Sequence, residues 1–123
     1  MAAALPYEVY RQTAIQTGTP EELALKLFQA VEVDAAAMAQ SLESNQLDML
    51  CNAANHAGTI FAALRDNWTA PPPATEVFRQ AMSWCWLLCQ RVAVQHEREA
   101  LDNLLLITIS YRDQLARRCG VAP

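Results

Sequence analysis

The chain has 123 residues, 53% of them hydrophobic and 18% charged, with a formal net charge of −4. That length suits one domain with one core and is too short for two, and the composition excludes both a disordered chain and a solvated coiled coil. An acidic balance with nine scattered Lys and Arg excludes the electrostatic footprint of a nucleic-acid binder.

Residues 1–18 read as an N-terminal arm carrying Tyr7 and Tyr10. The start MAAALPYEVY lacks the basic n-region and long apolar h-region of a secretory signal. No apolar run approaches the roughly 20 residues of a membrane span. The expectation is a cytoplasmic protein with no membrane partner, whose Cys51, Cys85, Cys89 and Cys119 are reduced thiols.

Four helices follow over residues 19–118. The first is expected over about 20–43. Thr19 is its cap, Pro20 stands where a missing N–H costs nothing, and Glu22 completes a capping box. Behind them Leu27, Val31, Asp34/Ala35, Met38 and Leu42 step by three and four. The second, about 46–68, carries Leu47, Leu50, Cys51, Ala54, Ala57/Gly58, Phe61, Leu64 and Trp68. Pro71, Pro72 and Pro73 then break the chain, since consecutive prolines supply no N–H.

The third helix, about 74–96, places Phe78, Met82, Cys85, Cys89 and Val92 on one face. The fourth, about 98–118, carries Leu101, Leu104, Leu105, Thr108, Tyr111 and Leu115, with Gly120 placed to cap it. Arg112, Arg117 and Arg118 lie towards its C-terminal end, where cations offset the helix dipole. The junction QHERE between these two helices has neither Gly nor Pro, which leaves its turn the least defined. There is no sustained strand alternation and no internal repeat. Short connections make neighbours antiparallel, so the expected fold class is all-α, an antiparallel four-helix bundle with an N-terminal arm.

Chemistry-bearing constellations are sparse. The only histidines are His56 and His96. Cys85 and Cys89 share a helix face and His96 lies seven residues on, but a structural zinc site needs four ligands. Two small apolar residues in a core is the simpler account of the cysteines. No Glu-x-x-His pair, phosphate-binding Gly loop or serine elbow occurs. The expectation is therefore no enzyme, no metal and no cofactor.

What remains is apolar surface. One core stripe takes three or four of every seven helical positions. In helix three this leaves Trp84, Leu87 and Val94 on a second face; in helix four it leaves Leu106 and Ile109. Either neighbouring helices cover these residues, or they line an exposed groove for an amphipathic segment of a partner. A homodimer formed through these faces is the alternative.

The segment PYEVYRQTAIQTGTPEELALKLF, Pro6 to Phe28, resembles the N-terminal signature of the flagellin export chaperone family FliS. That family shows Tyr-x-x-Tyr, a Thr-Ala-Ser/Thr-Pro turn, then Glu-Leu and a Met-Leu-Tyr-like run. Tyr7 and Tyr10 match the tyrosines. Thr17, Thr19 and Pro20 match the turn, with Gly18 in place of alanine. Glu22, Leu23, Leu27 and Phe28 match the helix start, with Lys26 in place of methionine. Asn52–Leu64 and Tyr111-Arg112-Asp113 are similar to later family segments, with Leu115 in place of a tryptophan. Helix three departs most: the aromatic character survives at Trp84, but Leu87 and Leu88 replace an arginine pair.

The resemblance implies a non-enzymatic, cytoplasmic export chaperone. Its partner would be the disordered C-terminal segment of flagellin, with components of the flagellar export gate as further partners. It would prevent premature polymerisation and aid type III secretion during flagellum assembly. Partner binding is then expected at Tyr7, Tyr10, Trp84, Leu87, Val94, Leu106 and Ile109. Tyr7 and Tyr10 are expected to fold over the apolar surface when the client is absent, since tyrosine offers an apolar ring and a water-facing hydroxyl. Closing the end of the core is the other role open to them.

Overall fold

The computed structural model describes residues 19–68 and 74–121. Four helices make up an all-α four-helix bundle: α1 (Pro20–Ser44), α2 (Leu47–Asn67), α3 (Ala74–Gln95) and α4 (Arg98–Arg118). Each packs on its neighbours in the chain, and α4 closes the ring against α1. The two-residue connections at 45–46 and 96–97 force α1/α2 and α3/α4 to run antiparallel.

The helix ends follow from local chemistry. Thr19 has extended backbone, and its hydroxyl accepts from the Glu22 N–H at 3.1 Å, with Pro20 in the first turn. Asn45 closes α1 in the left-handed region at φ 55°. Its N–H reaches the Leu42 carbonyl and that of Gln46 the Ser41 carbonyl, which is a Schellman turn. Gly120, at φ 73°, closes α4 in the same way through Arg117 and Ala116. The α3/α4 turn lacks glycine, and His96 takes the left-handed conformation instead, at φ 57°. Histidine is one of the few side chains enriched there, which is why QHERE carries no conventional turn signature.

The expected stripes form the core. Phe28, Val31, Ala35, Met38, Leu50, Phe61, Met82, Cys85, Cys89, Val92, Leu101 and Leu104 are completely buried. Leu88, outside the expected stripe of helix three, is buried too. At the start of α2 the stripe gives out, and Leu47 is exposed. An aromatic cluster fills the end of the bundle where α2 stops and α3 begins. Tyr111 stacks on Phe28 with ring centres 5.9 Å apart, and Phe78 sits edge-on to both rings. Trp68 packs 5.3 Å from Phe78. Trp68 thus stays in the core although α2 stops one residue before it.

Two polar ties cross the bundle surface. His56 Nδ1 meets Asp34 Oδ2 at 2.6 Å, joining α2 to α1. Arg112 pairs with Glu32 of α1 and with Asp113. Of the three arginines expected to offset the α4 dipole, only Arg117 and Arg118 stand in its last turn; Arg112 instead clamps α4 to α1.

Candidate partner-binding groove

The two flanks of α3 differ because of what α2 and α4 present. Towards α2, small residues let the helices approach closely: Trp86 and Cys89 lie over Gly58, so that a Cβ there would stand 3.5 Å from Trp86 Cδ1. Towards α4, the half-buried Ala81 sits next to the larger Trp84, and the helix surfaces part. The cleft between them has a volume of about 440 Å³ and is lined by Ala81, Trp84, Leu106, Ile107, Ser110 and Tyr111. It runs on through Tyr111 and Gln114 into a recess of about 310 Å³ over Trp68, Phe78 and Leu115, with Arg118 at its edge.

The five helical residues expected to bind a partner are all exposed: Trp84 41%, Leu87 38%, Val94 73%, Leu106 68% and Ile109 38%. They do not form one strip. Trp84 and Leu106 share the α3/α4 cleft. Leu87 lies with Arg79, Gln80, Ser83 and Trp84 on the surface of α3 itself. Val94, two turns on from Leu87, continues that outward ridge. Ile109 is one turn from both Leu105 and Arg112 on α4. Because Arg112 reaches Glu32, Ile109 belongs to the flank facing α1 and not to the cleft. Tyr7 and Tyr10 lie outside the described residues.

Trp86 and Tyr111 were missing from the sequence-derived site. Trp86 is 40% exposed and belongs to the α2/α3 flank. Tyr111 shows one edge to both recesses while its ring face is committed to Phe28. Burial pushes its hydroxyl above the usual phenol range, so the floor of the groove stays uncharged at neutral pH. The signal for Tyr111 was its lone aromatic ring on a stripe of leucines; only the flanking helix shows that the ring straddles core and cleft.

Arg91 lies 5.2 Å from the centre of the Trp84 ring, a cation–π contact at the turn end of the cleft. Burial pushes the Cys85 thiol up to about 12, and burial again, with neighbouring Cys85 and Asp34, raises that of Cys89. Burial thus holds both in the thiol form at neutral pH. His96 stands exposed beyond the end of α3. Among the described residues, no three of His, Cys, Asp and Glu come together as a metal site, and no helix is long and apolar enough to cross a membrane. No protein-family model and no curated protein matches this chain.

Proposed function

We propose that this protein is a cytoplasmic, non-enzymatic export chaperone that holds the disordered C-terminal segment of flagellin in the α3/α4 cleft. The observation that carries the reading is that Trp84 of α3 and Leu106 of α4, both exposed, line one open apolar cleft between these helices. The N-terminal signature that resembles the FliS family supplies the choice of client. Flagellin's terminal segments assemble through apolar helical faces, so a chaperone must cover such a face without templating the filament. Helix-in-groove docking does this.

The energetics favour reversible binding. Burying one Leu-sized side chain contributes about 1.5–3 kcal/mol. Covering Trp84, Leu106 and the rim of the Tyr111 recess therefore offers several kcal/mol. Ordering a loose client segment costs about 2–5 kcal/mol of it. The remainder is small, so the complex is weak and reversible, which permits hand-over to the export gate.

The test is a titration of the full chain with flagellin C-terminal peptides, followed by gain of helical circular dichroism. Binding is expected, and Trp84→Ser with Leu106→Ser should weaken it at least about tenfold while the bundle still unfolds cooperatively in urea. No peptide binding, binding unchanged in the double variant, or a homodimer that the peptide neither joins nor dissociates would overturn the reading.

A further inference from the structure

The charges of the bundle are unevenly shared between its two halves. Helices α1 and α2 carry seven carboxylates against Lys26 and Arg65, whereas α3 and α4 carry four carboxylates against six arginines. The asymmetry sharpens along the groove. From the Arg118 end, past Trp84, to the ridge at Arg79 and Leu87, no carboxylate lines the recesses. Glu97 and Glu99 enter at the turn, in a separate recess that Arg91 and Arg98 line with them. Arg98 is held by Asp102 at 3.2 Å. Arg91 and Arg118 form no ion pair with any described residue.

These two arginines bracket the apolar cleft. Arg91 rests over Trp84, and Arg118 edges the recess that Val77 and Phe78 line. From Val77 to Arg91 is fourteen residues of α3, about 21 Å at 1.5 Å per residue. A segment laid on Trp84 and Leu106 takes water from both guanidinium groups, and a charge that loses water without gaining a partner costs free energy. The groove therefore discriminates by charge as well as by shape. We propose that it selects an acidic amphipathic helix of about four turns, whose apolar stripe meets Trp84 and Leu106 and whose carboxylates, near each end, meet Arg91 and Arg118. This rests on the groove being the client site and adds the chemical class of segment it accepts.

The test uses the full chain and three designed peptides of about 18 residues, long enough to span the bracket. They share one leucine stripe and differ only in carrying Glu, Gln or Lys at the two flanking positions. Calorimetric titration should rank them Glu, Gln, Lys, with about tenfold between the extremes at low salt and a gap that shrinks as salt rises. Arg91→Gln with Arg118→Gln should erase the ranking among the three peptides. Equal binding of the three, preference for Lys, or a ranking that survives the double variant overturns the charge selection yet leaves the flagellin titration standing. If none of the three binds but the flagellin peptide does, the inference fails alone; if neither binds, both readings fail.

Discussion

At the scale of single residues, one buried and one half-buried polar group bear on local stability. Thr108 has no exposed surface, and its hydroxyl has no hydrogen-bond partner among the described residues. A hydroxyl stranded in that way costs about 1–3 kcal/mol relative to a satisfied one. Thr108→Val keeps the shape and removes the group, so the variant should be more stable by about 1 kcal/mol, read from the shift in urea midpoint. Asp34 is a second case. Burial raises its pKa above the ordinary 3.8, and the hydrogen bond and charge of His56 restore only part of the loss. A carboxyl raised in the folded state contributes its stability below the unfolded value and loses it as pH climbs through the folded one. At neutral pH the ionised Asp34 is thus a net cost. Asp34→Asn, which still offers His56 an acceptor, should leave the protein as stable or more stable at pH 7. Its advantage over the parent should grow as urea unfolding is repeated from pH 3 upward; a variant that is weaker at pH 7 would show that the pair stabilises.

At the scale of elements, α2 and α3 are the pair whose contact the small residues of α2 permit. Gly58 sits in mid-helix beneath Trp86, yet a Cβ there would find ordinary contact distances, 3.5 Å to Trp86 and 3.8 Å to Cys89. Close packing therefore does not require glycine at this position. Alanine is favoured over glycine in helix interiors by about 0.5–1 kcal/mol. Gly58→Ala should raise stability by about that amount in a denaturant titration, and a loss would mean that the Trp86 contact cannot yield even a few tenths of an ångström. The ends of the helices were legible because caps are local: Thr19 with Pro20, and Gly120, each act within one turn. The α3/α4 turn was not legible, because His96 enters the left-handed region only when the packing of two helices holds it there.

At the scale of the whole molecule, the bundle encloses Cys85 and Cys89 in α3 while Cys51 and Cys119 are half-buried. Thiolate is the reactive form, and burial holds the Cys85 thiol up to about 12. Labelling of the native protein at pH 8 should therefore modify Cys51 and Cys119 first. Cys85 and Cys89 should react together, slowly, and at a rate that rises with urea, because they become accessible only when the bundle opens. Mass spectrometry of the labelled protein distinguishes the two pairs; fast reaction at Cys85 would mean that α3 leaves the bundle on its own.

The sequence by itself determined the four helices of the described residues, their bounds to within a residue or two, and most of the sealed core, though not Leu23, Leu25, Ile60 or Leu88. Helices, bounds and core stripes each depend on spacing and capping within a few turns of chain. It placed Trp84, Leu87, Val94, Leu106 and Ile109 on second faces of their helices, since a stripe of limited width leaves the other sectors free, but left open whether neighbouring helices cover them; the tertiary structure leaves all five exposed. Which of them face one another was decided only in three dimensions. The rotation of each helix against its neighbours put Trp84 opposite Leu106, turned Leu87 and Val94 outward, and carried Ile109 round to α1. Periodicity fixes a residue's angle on its own helix, but a groove exists only between two helices, and their separation is set by the side chains that both must accommodate.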